Sequence, residues 1–204
     1  MFLNRKDAGV KLAEKLGKYK SAKEGIVIGL PRGGVVVAYE IAKALQLPLN
    51  VIIVAKLRAP NNPELAIGAL AGKEVFIDQE MVDSLGVSEK YVQEEIERRK
   101  KDVERKLKLF AKEPAKFSEK TVIIVDDGMA TGSTMHSAVQ AIKKEKPKKI
   151  VLALPVAPPE SLDKFKGLAD EIVCLLTPAN MYAVGQFYES FPQTSDEEVI
   201  RLLK

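Results

Sequence analysis

The 204-residue chain predicts an α/β fold: an open, mainly parallel sheet flanked by helices, carrying a helical insertion and a hood. Three observations predict it. Apolar runs such as Ile26-Val27-Ile28, Val122-Ile123-Ile124-Val125 and Ile150-Val151-Leu152-Ala153-Leu154 have the length and continuity of strands buried on both faces. Helical stretches separate these runs, as in βαβ units. Two of the runs end in small-residue loops that lead straight into helices, at Leu30–Gly34 and at Asp126–Thr134.

The elements follow in order. Arg5 to about Lys20 reads as a helix with Val10, Leu12, Ala13 and Leu16 on its apolar side. Residues 24–29 form a strand, 35–45 a helix and 49–55 the next strand. Residues 65–70 and 74–77 read as short strands joined by Ala71-Gly72-Lys73. Ser88 opens a long charged helix reaching about Lys112, with Pro114 beyond its end. Its apolar stripe is Val92, Ile96, Val103, Leu107 and Phe110, while Glu94/Arg98, Glu95/Arg99 and Glu97/Lys101 supply ion pairs. Strands at 121–125, 149–155 and 171–176 complete the sheet, with a helix near 160–166. Ser195 and Glu198 have capping-box spacing before a last helix to Lys204. One domain spans 1–204, with an insertion at about 60–119 and a hood built from the N-terminus and about 177–204.

Composition sets the class. A hydrophobic content of 46% and a charged content of 29% describe a globular protein with a proper core. A single cysteine, Cys174, excludes an internal disulfide and fits a reducing compartment, with the thiol buried and structural. No apolar run reaches membrane-spanning length and the first residues lack a signal-peptide core, so a cytoplasmic protein with no membrane partner is expected. The net charge of +4 suits polyanionic small molecules. Lysines alternate with glutamates, as in residues 143–149, so nucleic acid is not an expected partner.

The motif at 122–134 carries the chemistry. Four apolar residues end in Asp126 and Asp127 at the carboxyl end of a strand, where open parallel sheets bind ligands. The loop Gly128-Met129-Ala130-Thr131-Gly132-Ser133-Thr134 can bring backbone N–H groups to a phosphate, and the following helix points its positive end there. This segment resembles the phosphoribosyl-pyrophosphate motif of the type I phosphoribosyltransferases. The resemblance implies that residues 128–134 hold a ribose 5-phosphate and that Asp126 and Asp127 hold the ribose 2- and 3-hydroxyls. It also implies a core sheet ordered 3-2-1-4-5, with the first strand beside the motif strand and the two loops facing each other.

The other roles follow from the same resemblance. Pro31, Arg32, Gly33 and Gly34 match the family's pyrophosphate loop, with Arg32 offering a planar donor fork and Pro31–Arg32 the candidate for a cis, non-proline peptide. The mobile loop that closes over the sugar is matched to residues 56–64. Lys56 and Arg58 there would contact pyrophosphate, and Glu64 joins them among the candidate catalytic residues with Arg32, Asp126 and Asp127. Mg²⁺ is the expected cofactor, reached by Asp126 and Asp127 through ribose hydroxyls or water. A nucleobase-like acceptor is expected; Tyr182, Phe187, Tyr188 and Phe191, just after the last strand, either stack on its flat ring or fill the core beneath the hood. Ala130 occupies the position where the 6-oxopurine enzymes carry an acid. The stripe of the 88–112 helix suits packing along the body or against a second subunit, so a homodimer is possible, and His136 is expected as an exposed helical residue. The implied activity is phosphoribosyl transfer with release of pyrophosphate. The alternative is a regulator that senses phosphoribosyl pyrophosphate or a nucleotide and does little chemistry.

Overall fold

The computed structural model describes residues 1–60, 62–72, 74–110, 113 and 115–204, apart from the side chains of Pro63 and Glu64. Helix α1 (Arg5–Lys15) starts at Asn4, whose side chain accepts from the Asp7 N–H. It ends earlier than expected, in a short 3₁₀ turn at Gly17–Tyr19. Leu12, Ala13 and Leu16 are buried as expected, whereas Val10 is exposed and Ala8 takes its place.

Strand β1 (Gly25–Gly29) feeds α2 (Gly33–Leu45), which returns the chain to β2 (Leu49–Val51). The expected strand 49–55 is broken here. After Ile52-Ile53 the chain leaves the core sheet and enters a second, antiparallel sheet of β3 (Val54–Ala59), β4 (Asn62–Ala71) and β5 (Glu74–Ile77). The chain thus departs from the core sheet at Val54, before residue 60. Helix α3 (Gln79–Ser84), which the sequence pattern did not reveal, and α4 (Glu89–Leu109) cover the second sheet. Leu57, Ile67, Val82, Val92 and Ile96 form its own apolar cluster.

Helix α4 carries the predicted cap, Ser88 accepting from the Tyr91 N–H. Lys112 and Pro114, placed by sequence at and beyond its end, lie outside the described residues, as does Lys73. The apolar stripe is used up within the chain. Val92 and Ile96 pack on the β3–β4 hairpin, while Val103 and Phe110 join a cluster with Val35, Ile53, Val199 and Leu203. The stripe thus gives no ground for a dimer. Arg99 pairs with Glu95 as expected, but Arg98 also reaches Glu95, and Glu97 is paired with Lys100.

Strand β6 (Thr121–Val125), α5 (Ser133–Lys144), β7 (Lys149–Val156), α6 (Pro159–Asp163), β8 (Glu171–Leu176) and α7 (Asp196–Leu203) complete the chain. The core sheet is parallel throughout, ordered β2-β1-β6-β7-β8. Numbered within the sheet this is 2-1-3-4-5, not 3-2-1-4-5, because the chain after β2 builds the antiparallel sheet instead of an outer strand. The consequence that matters still holds: β1 lies directly beside the motif strand β6, with Gly29 opposite Val125.

Burial explains the layers. Val122, Ile123, Ile124 and Val125 are all inaccessible, since α1 and α2 cover one face of the sheet and α5 the other. Each such side chain contributes about 1.5–3 kcal/mol relative to exposure. The half-buried Cys174 donates its thiol to the Leu176 carbonyl, and burial pushes its pKa up to about 11. Among the described residues no helix is long and apolar enough to cross a membrane.

Candidate active site

The carboxyl ends of β1 and β6 place two loops against each other. Pairing continues one residue past the strands, with the Leu30 N–H donating to the Val125 carbonyl at 2.9 Å. Beyond it the chain turns through a cis Pro31–Arg32 peptide into α2, the bond expected for this loop. Gly33 and Gly34 then lie directly on the acids. A Cβ on Gly34 would sit 2.8 Å from Asp126 Cα, and one on Gly33 only 1.8 Å from Asp127 Oδ2. Only glycine permits that approach.

The acids are strongly perturbed. Burial pushes the Asp126 carboxyl well above its usual range, and the neighbouring Asp127 charge raises it further. Asp126 Oδ1 accepts from the Asp127 N–H at 2.9 Å. Burial raises Asp127 too, opposed by Arg5, whose Nε donates to Asp127 Oδ2 at 2.6 Å. The Tyr188 hydroxyl donates to the Asp127 carbonyl at 2.5 Å, and burial pushes that phenol far up.

The loop after the acids is held from behind. Ser161 Oγ donates to the Ala130 carbonyl and Lys164 Nζ to the Thr131 carbonyl at 3.1 Å. In a planar trans peptide the N–H points opposite to the C=O. The Thr131 and Gly132 N–H groups therefore face away from α6. Gly132, with φ of 81°, turns the chain into α5, whose N-terminus has no side-chain cap. Orphan donors of this kind, at the positive end of a helix dipole, are chemically suited to an anion.

A cavity of about 530 Å³ opens beside the two loops, lined by Leu30, Pro31, Arg32, Ile52, Ile53, Val54, Lys106, Phe110, Thr134 and Asp196. Arg32 reaches across to Asp196 of α7 at 3.9 Å. Among the described residues, the insertion contributes the cation Lys106, from α4, to the cavity lining. Lys56 and Arg58 are exposed positions of β3, and Arg58 borders a different cleft with Glu95, Arg98 and Arg99. The expected lid at 56–64 is largely a β-hairpin rather than a loop, because β3 and β4 pair through it. Asn61 and the Glu64 side chain lie outside the described residues.

The three candidate stacking rings of the hood differ in how much face they leave open. Tyr188 is buried, 5.3 Å from the Phe2 ring and 4.8 Å from that of Phe191, so its face is taken. Phe187 is half-buried in the same cluster. Tyr182, 89% exposed, is the one aromatic of the three with an open face. His136 is exposed on α5, as expected. Sequence reading missed Arg5, Lys106, Ser161, Lys164 and Asp196. Only Arg5 left a signal: a cation in the first turn of a helix opposes the dipole and calls for a distant acid.

The phosphoribosyl transferase domain profile matches residues 3–188. A Mycobacterium tuberculosis (strain H37Rv) protein, provisionally named a phosphoribosyl transferase, is 41% identical over 206 residues; the match covers 100% of this chain and 46% of that protein. The chain thus spans about half the length of that relative. A uracil phosphoribosyltransferase of Ureaplasma parvum is 29% identical over 133 residues, covering 65% of this chain and 56% of the enzyme. The solved structure of TT1426 from Thermus thermophilus superposes with a TM-score of 0.85 at 36% identity, covering 99% of this chain and 97% of that one. The profile runs through both loops and the acids between them, and the chain belongs to the phosphoribosyl transferase family.

Proposed function

We propose that the chain transfers a 5-phosphoribosyl group from phosphoribosyl pyrophosphate to a nucleobase-like acceptor. One observation carries the reading. The glycine backbone of 33–34 touches Asp126 and Asp127, while the uncapped N-terminus of α5 lies at the far end of the acid-bearing loop. This arrangement supports reading 33–34 as a pyrophosphate loop, Asp126 and Asp127 as acceptors for ribose hydroxyls, and 128–134 as a phosphate cradle. The acceptor nitrogen bonds to C1 as the C1–O bond to pyrophosphate breaks, through an oxocarbenium-like transition state. Residues 128–134 grip the 5-phosphate, Asp126 and Asp127 accept from the ribose hydroxyls, and Arg32 with Lys106 faces the pyrophosphate. Rate enhancement comes from positioning and fixed charge.

The donor set fits a metal carried by the substrate. Among the described residues no three acidic, His or Cys side chains cluster, leaving Asp126 and Asp127 to reach Mg²⁺ through ribose hydroxyls or water. When bound, Mg²⁺ neutralises the charge of the pyrophosphate leaving group.

The test is pyrophosphate release from phosphoribosyl pyrophosphate and Mg²⁺ across a panel of bases. Uracil leads the panel, because the uracil enzymes are relatives in sequence, followed by adenine and the 6-oxopurines. Asp126→Asn is expected to abolish turnover; unchanged release in that variant sinks the assignment. Silence across the panel, with tight donor binding, moves the reading to a sensor.

A further inference from the structure

Two side chains join the donor acids to the hood: Tyr188 holds the Asp127 carbonyl, and Arg5 holds the Asp127 carboxylate. Arg5 lies in the first turn of α1, where its charge gains nothing from its own helix. It is nevertheless only 10% exposed. Its guanidinium is shared by two segments, the acid-bearing loop and residues 191–192. Nε donates to Asp127 Oδ2 at 2.6 Å, one terminal nitrogen donates to the Pro192 carbonyl at 2.7 Å, and the flat face lies 3.7 Å from the Phe191 ring centroid. A lysine has the charge but neither the fork nor the face.

Asp127 is equally fixed. Gly33 walls its carboxylate on one side, and Tyr188 holds its carbonyl. Arg5 engages Oδ2, so a ribose hydroxyl falls to Oδ1. We propose that Arg5 is a positioning residue for the donor ribose, acting through Asp127, and that it couples donor binding to the seating of residues 187–192. The proposal rests on the phosphoribosyl-transfer reading. It implies that loosening Phe191, which belongs to the hood, weakens binding of the donor.

The test is calorimetric titration of the full chain with phosphoribosyl pyrophosphate and Mg²⁺, and separately with pyrophosphate and Mg²⁺, which lacks the ribose. Unaltered protein, Arg5→Ala, Arg5→Lys and Phe191→Leu are compared, with circular dichroism confirming the fold. Arg5→Ala is expected to weaken the donor about tenfold or more, the scale of a charge-assisted hydrogen bond. Arg5→Lys should recover only part of that loss, and Phe191→Leu should weaken the donor a few-fold. Pyrophosphate affinity should stay unchanged in all three. Donor affinity unchanged in folded Arg5→Ala overturns the proposal alone. So does an equal fall in donor and pyrophosphate affinity, which marks a merely structural role. If Arg5→Ala does not fold, unchanged donor affinity in both Arg5→Lys and Phe191→Leu overturns it. Absence of donor binding by the unaltered protein overturns both this proposal and the functional reading.

Discussion

Gly33→Ala is a one-carbon change whose effect can be worked out from the contacts. The new Cβ would sit 1.8 Å from Asp127 Oδ2 and 2.8 Å from Arg5 Nε. Real Cβ atoms keep at least 3.0 Å from such neighbours, so the carboxylate must retreat by at least 3.0 less 1.8, or 1.2 Å. Arg5 Nε is itself too close to the new carbon to take up the vacated space. The 2.6 Å contact then opens beyond hydrogen-bonding range. Losing a mostly buried, charge-assisted bond costs about 1.5–3 kcal/mol. Alanine in place of glycine in a helix offsets about 0.5–1 kcal/mol of that. The net loss is roughly 1–2 kcal/mol, or a fall in Tm of about 2–8 °C for a chain of this size. Urea and thermal unfolding measure it, with Gly17→Ala as the control because a Cβ there meets nothing within 4 Å. Equal stability of Gly33→Ala and Gly17→Ala would rule out the clash, since propensity alone would then describe both.

Two further outcomes are expected. Ser161→Ala removes the hydrogen bond to the Ala130 carbonyl and frees the 128–134 loop to turn; at roughly 1 kcal/mol the Kd for phosphoribosyl pyrophosphate should rise about fivefold, and an unchanged Kd would show that α6 is not a brace. At Glu171, partial burial opposes the charge, but hydrogen bonds from Lys149, Lys18 and Tyr19 outweigh it and hold the carboxyl at about 2 against an ordinary 4.5. The unfolded chain therefore binds this proton more readily, so the contribution is full above pH 4.5 and is lost as pH falls toward 2. Glu171→Gln should be less stable by roughly 1–2 kcal/mol at pH 7, after discounting for solvent screening, and should converge with the unaltered protein near pH 2. Parallel acid-unfolding curves would contradict this.

The sheet and both loops were legible because their signals are local. Val122–Val125 is apolar at every position, as only a doubly covered strand is, and Asp126-Asp127-Gly128 must leave it at the carboxyl edge. The facing of the two loops was expected, but the glycines were read as leaving room for phosphate, and the contact of Gly33 with Asp127 was not foreseen. The insertion was harder. Residues 49–55 read as one strand, yet Ile52 and Ile53 are buried in different clusters as the chain crosses between sheets, and apolar character alone does not mark such a crossing. Lys56 and Arg58 were chosen for charge near a strand end; the pairing of β3 with β4 decides where they point, and no sequence period reports which of two sheets a strand will join. Tyr188 was read as a stacking ring because an aromatic residue in a hood and an aromatic residue in a core look alike until its hydroxyl finds the Asp127 carbonyl.

The first residues and the hood are stitched together by backbone. The Phe2 N–H donates to the Phe187 carbonyl, and the Glu189 and Ser190 N–H groups donate to Phe2 and Leu3. Arg5 bonds partners 122 and 187 positions away along the chain. Contacts of that span close very large loops, and the entropy of closing them is lost before the contacts stabilise anything. The acid pair should therefore acquire its final environment late in folding, after the sheet has formed. It should also be among the first regions to open in the native state. In hydrogen exchange the amides of Phe2, Glu189 and Ser190 would then exchange together, well ahead of the β6 strand on which the same site rests.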